Sequence, residues 1–232
     1  MTDSDWPNYD IGDYNKTDFS TSDCDTERTF STRALAGWMW ELVRGLRAGL
    51  FASFEYTDLE WSARDGYYQY ASGGTDWSSS LAQERLYGLG ILYRQTYVIP
   101  ALGMKLSYRP SARISVEGGL TLSSAVSCDD EDDHVYRSIE FTESFSGGTL
   151  VEPEIAAGYA ITPKARLGLR ISYRSIQGLR GDEKLTLTQD YTVTNSDGST
   201  STYPAGYTET YANGAGAALE SLEVDLSFSF QL

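Results

Sequence analysis

The chain has 232 residues, enough for one all-β domain or a single barrel. Its 33 acidic residues outnumber 18 Lys and Arg residues, and the net charge of −15 argues against nucleic-acid partners and favours basic ones. A mean hydropathy of −0.37 and the absence of any long apolar run exclude a membrane-spanning helix, whereas a membrane barrel could be hidden in such an average.

Segments in which apolar and polar residues alternate follow one another along the chain. This period of two predicts β-strands at roughly 27–40, 46–61, 85–108, 113–127, 139–160, 165–177 and 217–232. The last segment has one wholly apolar face, formed by Leu222, Val224, Leu226, Phe228, Phe230 and Leu232. The chain is therefore predicted to be all-β.

Two architectures produce this pattern: a soluble β-sandwich with polar residues outside, and a membrane barrel with apolar residues facing lipid. Sandwich strands average about 5–6 residues, whereas these strands are long enough to cross a bilayer at a tilt. Short turns at 41–45, 109–112 and 161–164 alternate with long polar loops at roughly 7–26, 62–84, 127–138 and 178–216. This asymmetry is typical of outer-membrane barrels. We therefore expect a transmembrane antiparallel β-barrel.

Two acidic motifs fall on the long-loop side and can meet at one rim. The first is Asp3-Ser4-Asp5-Trp6, and the second runs from Cys128 to His134, the only histidine. A neutral imidazole can take a proton from water, a nearby carboxylate can orient it, and a carboxylate pair can hold the water opposite. The alternative is that both acidic segments are merely solvated and the histidine has no catalytic role.

At these motifs the chain resembles the omptin family, outer-membrane endopeptidases of Gram-negative bacteria with ten-stranded barrels. Asp3 and Asp5 are similar to the family's catalytic aspartate pair, and Asp132 and His134 to its Asp-x-His dyad. Other matching segments are Gly37-Trp38, Ser62 to Gly66, Glu84-Arg85, the stretch around Pro100, Ser107 to Arg109, and Gly158 to Ala165. The resemblance covers nearly the whole chain.

The resemblance implies a mechanism and a substrate class. Asp132 would orient His134, the general base for a water held with help from Asp3 and Asp5. Asp130 matches an acidic pocket residue, and its carboxylate would bind an arginine guanidinium of the substrate. The expected partners are cationic peptides or proteins and the lipid of the outer membrane, with the active site facing the cell exterior.

The chain also departs from the family pattern. The family has about three strands before its Asp-x-Asp motif, which here begins at residue 3, and the first residues lack the pattern of a signal peptide. We therefore expect one domain over residues 1–232, an N-terminally truncated barrel of about seven strands whose activity is doubtful. Family members bind lipopolysaccharide through exterior basic residues, but the stretch from Phe54 to Glu60 has no Lys or Arg, so this dependence stays open.

Other site chemistries have weaker support. The acidic run 129–133 lacks the glycine and the terminal glutamate of an EF-hand calcium loop, and two cysteines with one histidine make no zinc motif. We expect no metal and no nucleotide cofactor. Cys24 and Cys128 lie in different predicted loops on the oxidising side, where we expect a disulfide rather than two thiols.

The sequence thus predicts an outer-membrane endopeptidase that cleaves next to basic residues. The alternative is a non-catalytic outer-membrane barrel that acts as an adhesin or a small channel. A channel would tolerate the loss of His134 and Asp5, whereas a protease would not.

Overall fold

The computed structural model describes residues 18–71, 77–194 and 198–230, together with the backbone of 2–5. Its ten strands are β1 (Thr2–Asp5), β2 (Asp18–Val43), β3 (Leu46–Tyr70), β4 (Glu84–Tyr108), β5 (Ile114–His134), β6 (Ile139–Ala160), β7 (Ala165–Leu187), β8 (Tyr191–Thr194), β9 (Thr200–Tyr203) and β10 (Thr208–Phe230). None of the described residues belongs to a helix long and apolar enough to cross a membrane.

One antiparallel sheet contains all the long strands, in the order β1-β2-β3-β4-β5-β6-β7-β10. Strands β8 and β9 form a separate hairpin between β7 and β10. The predicted all-β antiparallel architecture with seven long strands is confirmed. Within the described residues the sheet is not closed, since β1 and β10 are its outer strands.

The strands are longer than the sequence pattern predicted. The segments 18–26, 62–70, 127–134 and 178–187 were predicted as loops but continue β2, β3, β5 and β7. Their backbone groups are satisfied by continued antiparallel pairing, which requires no apolar face. The polar composition of these segments therefore indicated their position beyond the apolar band, not an irregular backbone.

The sheet has an apolar convex face and a mixed concave face. Exposed apolar side chains form a band on the convex face near the short turns, including Trp38, Leu50, Leu102, Leu122, Val151, Tyr173 and Leu226. A lipid-facing surface has this composition and this strand length. Residues 127–134, 139–146 and 180–187 lie beyond the band, toward the long connections.

A charge quartet joins the two walls of the concave face. It consists of Arg33 on β2, Glu55 on β3, Glu152 on β6 and Arg174 on β7, and each arginine donates to both carboxylates at 2.6–3.0 Å. On the side of the quartet toward the long connections, an apolar core covers the concave face. It is formed by Tyr97, Ile99, Ala101, Val126, Cys128, Phe145, Leu150, Ile176 and Leu179. The catalytic candidates Asp132 and His134 follow this core on β5, still closer to the long connections.

Candidate active site

The last residues of β5 place the second acidic motif on the sheet. Asp130, Asp132 and His134 are alternate residues of a regular strand, so their side chains share one face. The expectation that they lie in a loop was wrong, because β5 continues to His134 and pairs with both β4 and β6. A paired strand holds the three side chains in a fixed row.

His134 and Asp132 are in direct contact. His134 Nε2 lies 2.9 Å from Asp132 Oδ2, and the imidazole packs edge-on against Phe141 with ring centroids 5.3 Å apart. Both side chains are largely buried, with 14% and 21% exposure. Asp132 Oδ1 is buried and has no hydrogen-bond partner within the described residues. This contact can fix the orientation of the imidazole.

His134 borders a cavity of about 230 Å³ at the end of the sheet. Its other lining residues are Ser20, Thr21, Ser22, Tyr68, Leu86, Gly90, Ile91, Tyr136 and Arg137. Ser20 and Ser22 are the backbone partners of Asp5 and Asp3 in β1. The backbones of both acidic motifs thus lie at the same end of the sheet. The side chains of Asp3 and Asp5 are outside the described residues, so their approach to His134 stays a prediction.

Asp130 is the most buried of the three β5 residues, with 3% exposure. Its Oδ2 accepts hydrogen bonds from the Tyr93 hydroxyl and from Gln95 Nε2, the latter at 3.0 Å. Its Oδ1 is buried without a hydrogen-bond partner in the described part of the chain. Burial raises the pKa of Asp130. The hydrogen bonds from Tyr93 and Gln95 therefore hold this carboxyl group in place.

Glu143 on β6 extends this acidic pocket, although the sequence motifs did not single it out. It is the direct cross-strand partner of Asp130. Burial, and then the charge of Asp130, raise the pKa of Glu143 to about 8. The four-residue turn 135–138 fixes this pairing, so the hairpin register was the one signal in the sequence that could have revealed it.

Comparison with known proteins identifies the family. The model of the omptin family matches residues 1–230. The chain belongs to the omptin family. A plasminogen activator of Yersinia pestis is 27% identical over 138 residues, covering 59% of this chain and 42% of that protein. Outer membrane protease OmpP of Escherichia coli K12 is 24% identical over 140 residues, covering 60% and 44%.

A solved structure shows the same fold. The crystal structure of outer membrane protease OmpT from Escherichia coli superimposes with a TM-score of 0.74 at 18% identity, covering 99% of this chain and 72% of that one. The omptin-type barrel predicted from the sequence is therefore confirmed as the fold. The matched part of this omptin spans less than half the length of the curated relatives.

The predicted disulfide between Cys24 and Cys128 is absent from this omptin. Cys24 lies on β2 and Cys128 on β5, three strands away. The pairing of β2 to β5 places Cys24 level with His134, so Cys128 is also offset by six residues, about 20 Å, along the strands. A disulfide needs Cα atoms within about 7 Å. Cys128 instead packs in the apolar core, and its thiol donates to Asp129 O at 3.5 Å. The prediction was wrong because both residues belong to strands, not to mobile loops.

Two arginines on the exterior beside the apolar band are already paired with carboxylates. Arg28 and Arg94 both bind Asp58, at 3.0 and 3.1 Å, and Arg28 also binds Glu60 at 3.0 Å. These guanidinium groups are already paired with carboxylates of the same surface. Arg28 and Arg94 therefore do not fit a lipopolysaccharide site. In the described part of the chain, no cluster of three or more His, Cys, Asp or Glu could hold a metal ion.

Proposed function

We propose that this omptin is an outer-membrane endopeptidase that hydrolyses peptide bonds next to basic residues, with its active end facing the cell exterior. The observation that carries the proposal is the His134–Asp132 contact of 2.9 Å beside a cavity, with the acidic pocket of Asp130 on the same strand face. The names of the relatives, which include two proteases and a plasminogen activator, support the reaction class.

The proposed chemistry uses water as the nucleophile. Asp132 accepts the hydrogen bond of His134 Nε2–H, and this selects the tautomer whose Nδ1 can take a proton. Water held between Nδ1 and the Asp3–Asp5 pair attacks the peptide carbonyl carbon while its proton passes to His134. His134 then returns the proton to the leaving amine, so no acyl-enzyme forms.

The acidic pocket supplies the preference for basic residues. Asp130 and Glu143 lie side by side, and within the described residues neither forms an ion pair with a Lys or Arg. A substrate guanidinium beside this pair would lower the raised pKa of Glu143, so that both groups bind the cation as carboxylates. Cationic peptides or proteins are thus the proposed substrates, and outer-membrane lipid is the proposed partner of the apolar band.

The test is cleavage of a fluorogenic peptide containing Arg-Arg by the protein refolded in detergent micelles. We expect His134→Ala and Asp132→Asn to reduce turnover by about 10²–10⁴-fold, because they remove the general base and its orienting carboxylate. Asp133→Asn is the matched control, since Asp133 lies between them on β5 but faces the opposite side of the sheet. Unchanged turnover by the His134→Ala protein would refute the proposed role.

The alternative of a small channel has less support. The apolar core and the charge quartet occupy the concave face between the active end and the short turns. An ion path would have to pass through both layers. A non-catalytic adhesin would be favoured only if the wild-type protein failed to cleave every basic peptide tested.

A further inference from the structure

Directly paired residues on neighbouring strands form a row of acidic side chains across the sheet. Cross-strand pairing joins Asp130 on β5 to Glu143 on β6, Glu143 to Glu183 on β7, and Glu183 to Tyr211 on β10. Directly paired residues point to the same face of a sheet. Since Asp130 faces the concave side, all four side chains do. Three carboxylates and one phenol ring therefore follow one another across four strands.

This row lacks the compensation found elsewhere on the concave face. Within the described residues, no Lys or Arg forms an ion pair with Asp130, Glu143 or Glu183. In the charge quartet, by contrast, each carboxylate binds two guanidinium groups. Asp130 is almost fully buried, with 3% exposure, and its Oδ1 has no hydrogen-bond partner among the described residues. Within the described residues, the carboxyl groups of this row therefore have no paired cation.

We propose that Glu183, with Tyr211 beside it, forms a second cation-binding subsite that takes a Lys or Arg side chain of the same substrate. This inference rests on the proposed function, in which Asp130 and Glu143 hold the basic residue next to the scissile bond. The second cation belongs to the residue two positions away on the substrate. Such an enzyme prefers substrates with two basic residues in alternate positions.

The spacing of the row fits an extended peptide that crosses the strands. Asp130 and Glu183 are two strand spacings apart, roughly 9–10 Å. Alternate side chains of an extended peptide leave the backbone on the same side, about 6.5–7 Å apart. The long side chains of Lys and Arg cover the remaining distance.

Tyr211 gives the subsite a second means of binding a cation. It lies at the end of the row, on β10, and is 42% exposed. The face of a phenol ring attracts a guanidinium or ammonium group. Glu183 is half-buried, and burial raises its pKa, so a bound cation also favours its charged form.

The experiment compares two pairs of fluorogenic peptides that contain one Arg at the scissile bond. In the first pair, the residue two positions before that Arg is either Arg or Gln. In the second pair, the residue two positions after it is either Arg or Gln. For wild-type protein we expect kcat/KM to be about tenfold higher for the Arg peptide of one pair, mainly through KM, as a charge-assisted hydrogen bond predicts. Glu183→Gln should reduce this ratio to about one, and Glu183→Asp should largely retain it.

Glu140→Gln is the matched control, because Glu140 lies on β6 near Glu143 but faces the convex side. Its ratio should stay at the wild-type value. Retained heat-modifiable migration on a gel shows that each variant is folded. Glu183→Lys gives an independent check, since it should reverse the preference in favour of the Gln peptide.

The outcomes separate this inference from the proposed function. The subsite is overturned if the wild-type protein cleaves the Arg and Gln peptides with a kcat/KM ratio near one. It is also overturned if this ratio is unchanged in both Glu183→Gln and Glu183→Lys. Either result leaves the endopeptidase proposal intact. If no peptide is cleaved, the proposed function fails, and binding of the same peptides with a reduced scissile bond decides the subsite. Equal affinities for the Arg and Gln peptides would then overturn it.

Discussion

Replacement of Glu55 by Gln should be among the most destabilising changes to this fold. Glu55 accepts from Arg33 at 2.6 Å, from Arg174 at 2.6 and 3.0 Å, and from the Thr57 hydroxyl at 3.0 Å, and its side chain is 3% exposed. Two Arg and two Glu give the quartet zero net charge. The variant keeps the shape of the side chain but leaves a net charge of one positive unit in a buried cluster.

Removing one partner of a buried ion pair costs about 3–5 kcal/mol, and the near-complete burial of Glu55 places this variant in that range. The measurement is urea unfolding in detergent micelles, followed by tryptophan fluorescence. The double variant Glu55→Gln with Arg174→Gln restores neutrality and should recover part of the loss.

Asp225→Asn is the control for Glu55→Gln. Asp225 binds Arg170 at 2.8 Å, but these side chains are 51% and 44% exposed, so water replaces the lost contact. We expect a loss of about 1 kcal/mol or less. If Glu55→Gln costs no more than Asp225→Asn, the quartet does not hold the two walls of the sheet together.

Two further predictions concern the acidic pocket and the cysteines. Because the folded-state pKa of Glu143 is raised to about 8, its contribution to stability is fully present below about pH 4.5 and is lost as the pH rises through 8. Glu143→Gln should therefore flatten this part of the profile of stability against pH, measured by urea unfolding. An identical slope in the wild-type and variant proteins would contradict the raised pKa of Glu143. Burial raises the pKa of Cys128 to about 12, so its thiol should react with a maleimide only after unfolding. A reductant should change neither the gel mobility nor the unfolding midpoint. A shift in gel mobility on reduction would instead support the predicted disulfide between Cys24 and Cys128.

Much of the architecture followed from local sequence pattern. The alternation of apolar and polar residues in segments such as 217–232 predicted strands, because a β-strand turns successive side chains to opposite faces whatever its neighbours are. The same rule puts Asp130, Asp132 and His134 on one face as soon as their segment is known to be a strand. The pattern failed for that segment because both of its faces are polar, so nothing in the alternation distinguished it from a loop.

Alternation and motif spacing were enough to predict the strands, the apolar face that suits lipid, the family resemblance and the acid–histidine motif. The contacts between distant residues became known from the folded sheet: Asp130 with Glu143 and Glu183 across neighbouring strands, and Arg33 with Glu152 across the concave face. The sheet also separates Cys24 from Cys128. Periodicity is a property of each strand alone, whereas register and curvature depend on how all the strands pair and on which buried charges find partners.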